Sequence, residues 1–138
     1  MDPFSVAIGC VSLLDAVTRL SHSVTNFVVG FRDAQKDLAA VTRELSDLDL
    51  SLQILKADTD PKQSYELPND LRRYVCGIMQ NCRIDVTDFE ASLHEYGKEG
   101  LNQRAKWAIS GRIEAQKIRT ALAAHKGALN LAAETISL

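Results

Sequence analysis

The chain has 138 residues, 46% of them hydrophobic and 25% charged, with a formal net charge of -2, which is the make-up of one soluble domain large enough to bury a core. Seven Gly and three Pro are too few for the frequent turns of a sandwich or barrel, whereas Leu occurs 17 times and Ala 16, so helix is the leading class. The charge balance also argues against whole-domain attraction to nucleic acid, which needs a positive excess.

The chain opens Met1-Asp2-Pro3 with no basic residue before Arg19, so no secretory signal is expected. Asp15 and Arg19 cut short the uncharged run over residues 3–14, so no spanning helix is expected. The first apolar seam runs Val6, Cys10, Leu13, Val17, Leu20, Val24, Phe27 and Phe31 in steps of four and three, one buried face of a helix over 3–31. Asp2 is its expected N-cap, with Pro3 at the first helical position. A second helix over 34–57 follows from Leu38, Val41, Leu45, Leu48, Leu52 and Leu55, and stops at Asp58-Thr59-Asp60-Pro61. Asn69 is the expected cap of a third helix over 69–97, with Leu71, Val75, Ile78, Cys82, Val86, Phe89, Leu93 and Tyr96 as its seam. Trp107 then falls in a short connection, and Ser110 or Gly111 opens a fourth helix over 111–136, with Ala115, Ile118, Leu122, His125, Leu129, Ala132 and Ile136 inward. Four helices with one apolar face each predict an all-α, antiparallel four-helix bundle with a long N-terminal helix, as a single domain over 1–138.

Sites of chemistry are scarce. There is no Gly-rich phosphate loop, no His-Glu-x-x-His and no Gly-x-Ser-x-Gly, so no catalytic residue, cofactor or small-molecule substrate is expected. Cys76 and Cys82 have five residues between them, and His22, His94 and His125 fall on three different helices, so no zinc spacing exists. The three cysteines read as small core residues of a reduced, cytoplasmic protein, and His125 as a packed, hydrogen-bonded histidine. Asp47 with Asp49, and Asp85 with Asp88, read as solvated faces.

Two features remain. Phe4, Ile8, Val11 and Leu14 form a second apolar stripe beside Val6, Cys10 and Leu13, which leaves residues 3–14 apolar nearly all round. Central burial explains such a segment, and so does departure to a membrane or another subunit. Charge is also segregated: residues 33–60 carry seven acidic and three basic residues, and residues 101–138 six basic and two acidic. Arg112, Arg119 and Lys126, seven apart, share one helix edge that either stays solvated, pairs with the acidic second helix, or contacts anionic lipid.

With these segments placed, a family resemblance covers nearly the whole chain. Met-Asp-Pro-Phe-Ser-Val-Ala resembles the start of fungal N-terminal domains on STAND-type, NOD-like receptor proteins. Trp107, Arg112-Ile113-Glu114, Ile118, Leu122, His125-Lys126, Leu129 and Leu131-Ala132 are similar to the last helix of the same group, the HeLo-like domains. Met79-Gln80-Asn81-Cys82, followed by Val86 and Phe89, is similar to its middle helix.

The resemblance implies an N-terminal effector bundle of a larger regulated protein that executes regulated fungal cell death, heterokaryon incompatibility included, by oligomerising and attacking membranes. It places Phe4, Val6, Ile8, Val11 and Leu14 in a membrane-active or oligomerisation segment, and Arg112, Arg119 and Lys126 as candidate anionic-lipid contacts. The implied partners are further copies of the chain, membrane lipid and regulatory domains of the same protein, with a cytoplasmic resting state and the plasma membrane as destination. The alternative is a non-enzymatic homotypic signalling module without membrane activity.

Overall fold

The computed structural model describes residues 5–59, 67–98 and 101–137. In chain order these form α1 (Val6–Gly30), a 3-10 turn (Arg32–Ala34), α2 (Gln35–Asp58), α3 (Asn69–Tyr96), α4 (Leu101–Lys106), a π turn (Trp107–Gly111) and α5 (Arg112–Ser137). Lys106 and Arg112 keep helical dihedrals on either side of the π turn, so α4, the turn and α5 form one continuous rod. The result is an all-α bundle of four rods.

Most seam residues form the core, but Phe31, Leu71, Ile78, Tyr96 and His125 are only half-buried, and on α3 the neighbouring Met79 rather than Ile78 faces fully inward. Val6 through Phe27 on α1, all six seam leucines and valine of α2, Val75, Cys82, Val86, Phe89 and Leu93 on α3, and Ala115, Ile118, Leu122, Leu129, Ala132 and Ile136 on α5 are buried. Each large aliphatic side chain so buried contributes about 1.5–3 kcal/mol against the entropy of ordering the chain.

Three boundaries differ from expectation. α1 starts at Val6, where Ser5 is the N-cap and its hydroxyl accepts a long bond, 3.5 Å, from the Ile8 N–H; Asp2 and Pro3 lie outside the described residues. α3 takes Pro68 as N-cap, and Asn69 is already helical, its side-chain oxygen accepting from Arg72 at 2.7 Å. The fourth rod starts at Leu101, so Trp107 lies inside a helix rather than in a connection. Gly111 does not start that helix. A Cβ there would stand 2.2 Å from Trp107 Cε3, so the glycine is what lets the indole lie against the backbone. Trp107, Gly111 and Ala115 all face inward. Two successive steps of four would swing an α-helical stripe by about 40° each, and the turn widened to an i→i+5 bond takes up that rotation.

Packing sets the order of the rods around the bundle as α1, α2, α5, α3. Cys10 meets Met79 and Phe27 stands beside Gly97, so α1 and α3 run parallel. Asp37 meets Arg112 and Glu44 meets Lys126, so α2 and α5 do as well. Consecutive rods are antiparallel, but the connection from α2 to α3 joins diagonally opposite corners. That is why two of the four side-by-side pairs are parallel.

Candidate functional site

The N-terminal stripe of α1 is divided by the bundle. Val6 is in the core, Ile8 and Leu14 are half-buried, and Val11 is 52% exposed; Phe4 lies outside the described residues. Ile8 lines a cleft of about 520 Å³ between α1 and α3, and Ile84, further along that cleft, lines it too and is 50% exposed. Val11, one turn after Ile8, is not among the residues that line this cleft and stands on the solvent side of α1. Asp15 and Arg19 pair one turn apart at 3.3 Å, both well exposed, so the bridge adds little stability. It does keep the middle of α1 neutral. Ile84 carried no sequence signal, because it stands off the α3 seam and its place in the cleft depends on the parallel packing of α1 on α3.

The basic edge is not a uniform ridge. Arg112 Nε lies 3.2 Å from Asp37 Oδ2, and Lys126 Nζ lies 2.9 Å from Glu44 Oε2 and 3.4 Å from Asp47 Oδ2. The hydrogen bond to Glu44 is the main reason the Lys126 ammonium titrates above its ordinary value, with burial opposing and Asp47 assisting. Arg119 is exposed and makes no ion pair among the described residues. Two of the three cations therefore stitch α5 to the acidic α2.

Asp37 has a second role that its position in the first turn of α2 did not reveal. The same oxygen accepts a hydrogen bond from Trp107 Nε1 at 3.1 Å, satisfying an indole that is 1% exposed. Phe27, Phe31 and Tyr96 pack on Trp107 with centroid separations of 5.0, 6.4 and 5.4 Å, within the favourable range for aromatic pairs. Arg104 caps this cluster, its guanidinium 5.6 Å above the Phe31 ring. The aromatic end thus joins α1, α3 and the fourth rod, with α2 tied in through one carboxylate.

His125 is half-buried and its Nε2 lies 2.7 Å from Asp85 Oδ2, the packed, bonded histidine that its seam position predicts. Asp47 and Asp85 keep side chains 60% and 42% exposed, as expected of solvated faces, and each also bonds a side chain on α5. Burial, with a smaller push from the neighbouring Cys76, raises the Cys10 thiol to about 12. Cys82 is raised to about 12 by burial and Asp85. All three cysteines are thiols. Among the described residues no group of three or more His, Cys, Asp or Glu suited to a metal ion forms, and no helix is long and apolar enough to cross a membrane.

No family model matches the chain, and no solved structure matches it. A curated protein of the fungus Monascus ruber, azaphilone pigments biosynthesis cluster protein L, is 25% identical over 120 residues, covering 86% of this chain and 25% of that protein. The chain thus spans about a quarter of the length of the curated relative it matches. The likeness is to a fungal protein, and the HeLo-like character remains an expectation from sequence.

Proposed function

We propose that the chain is a non-enzymatic helical effector domain of a larger fungal protein, of the HeLo-like kind it resembles, and that it signals by self-association through the outer face of α1 and α3. The observations that support this are Val11 and Ile84, large apolar side chains half exposed on the outer sides of α1 and α3, and the cleft between the two helices that Ile8 and Ile84 line. The basic edge offers less for a partner, because Arg112 and Lys126 are already engaged by α2. The Monascus relative, four times the matched length, supports a module carried within a longer chain.

Membrane attack is the second reading, favoured by the exposure of Val11 in a stretch of α1 that has no charge before Asp15. Releasing α1 would expose eight buried side chains, which only replacement burial in lipid or in neighbouring copies would offset. The test clusters the domain through a fused dimerising tag and follows assembly by light scattering and dye release from anionic liposomes. Val11→Asp with Ile84→Glu should abolish the larger assemblies while the helical melt is unchanged. Assemblies that survive in the folded double variant would defeat the reading. Dye release by the parent that is lost in the variant would place membrane attack first.

A further inference from the structure

Two hollows meet at the end of the bundle where α1 and α3 terminate side by side. The first, of about 760 Å³, has Phe27, Gly30 and Phe31 of α1 and Glu90, Leu93 and Gly97 of α3 in its wall, and its size is that of small-molecule sites. The carbonyl ends of two parallel helices therefore border it, each with partial negative charge. α1 carries no basic residue in its last turn, and α3 only His94. Glu90 is half-buried and makes no ion pair among the described residues, while Lys98, in the same wall, is taken up by Glu95 at 3.1 Å. Ala91 and Glu95, one turn apart on α3, line this hollow and also a second of about 370 Å³ between α3 and the fourth rod. Glu114 lines the second. Its Oε2 is closed off from solvent and has no hydrogen-bond partner among the described residues, a costly state for a buried acceptor. Lys106 shares that hollow but makes no ion pair with Glu114.

We propose that the two adjoining hollows bind a linear aliphatic diamine or polyamine, with one ammonium beside Glu90 at the helix ends, another donating to Glu114, and the methylene chain crossing α3 over Ala91. An ammonium brings three donors and no acceptor, which suits a carboxylate without a partner and the terminal carbonyls of α1. Hydrogen bonds between ionised groups are the strong ones, and Phe31 and Ala91 offer the methylenes apolar surface. No group of three or more metal-ligating side chains forms among the described residues, so carboxylates in separate hollows fit separate charges on one molecule better than a shared ion. A ligand held here would tie α3 to α1 on one side and to the fourth rod on the other.

The site is tested on the full chain by calorimetric titration at low salt with 1,4-diaminobutane and spermidine, and with butylamine as the single-charge control. The parent should bind one diamine or spermidine per chain, bind butylamine at least about tenfold more weakly, and melt at a higher temperature once loaded. Glu90→Gln and Glu114→Gln, which conserve shape, should each weaken diamine binding by about tenfold or more and bring it to the level of butylamine. Asp49→Asn on α2 removes the same charge away from both hollows and should bind as the parent does. The proposal is overturned if the parent binds neither diamine nor spermidine, if butylamine binds as tightly as they do, or if Glu90→Gln and Glu114→Gln bind undiminished. It is equally overturned if Asp49→Asn loses as much affinity as those two, since the effect would then be one of summed charge.

Discussion

Single glycines in this bundle have opposite meanings, and the neighbours of each decide which. Gly111 carries the Trp107 ring at a distance no Cβ tolerates, whereas Gly77 and Gly127 sit on helices with open space around them. Gly111→Ala should therefore destabilise by about 1–3 kcal/mol through overpacking. Gly77→Ala and Gly127→Ala should each stabilise by about 0.5–1 kcal/mol, because only the backbone entropy term remains. Urea unfolding of the three variants checks the sign at each site. The cysteines divide in the same way. Cys10 and Cys82 are sealed and their thiols pushed up to about 12, while Cys76 borders the cleft. In the native protein at pH 8 only Cys76 should react at an appreciable rate with a disulfide reagent, and the other two should react after unfolding. Three thiols titrating together would contradict the burial of Cys10 and Cys82.

Between elements, the contact of α5 with α2 is electrostatic at its edge and apolar within. Lys126 has a raised folded value, so its contribution to stability is complete below the ordinary lysine value of 10.5 and is lost as pH rises through the higher folded one. The stability difference between the parent and Lys126→Met should accordingly be flat from neutral pH to about 10 and shrink above it. Salt should reduce it only in part, since the Lys126 side chain is one-quarter exposed. Arg119→Met, at a position with no ion pair among the described residues, should change the melting temperature little. Equal losses at the two positions would mean that the edge acts through its summed charge and not through the bonds of Lys126 to Glu44 and Asp47.

For the whole molecule, Leu48 and Leu122 are fully buried on facing rods, and replacing either by Ala should cost about 2–5 kcal/mol in denaturant unfolding. A loss near zero at both would contradict a core shared by α2 and α5. These two leucines also mark how much was legible before any tertiary arrangement was considered. The steps of three and four along Val6 to Phe27, Leu38 to Leu55 and Ala115 to Ile136 determine helix, inward face and bundle class, because an amphipathic helix has only one way to remove its stripe from water. The same local pattern misplaced the start of the fourth rod. Gly111 reads as punctuation along the chain, and only the indole lying against it shows why a glycine is there. Which rods are neighbours was decided by the tertiary structure alone. Periodicity says that each seam faces inward, not that α1 lies beside α3 with Ile8 and Ile84 lining one cleft, nor that Asp37 reaches both Trp107 and Arg112. The candidate surface follows the same division: sequence alone determined that the start of α1 is more apolar than one seam requires, while packing decided that Val6 is spent in the core and Val11 left outside. It also decided that two cations of the basic edge are held by α2, since charges 75 and 79 residues apart meet only when two helices pack in register.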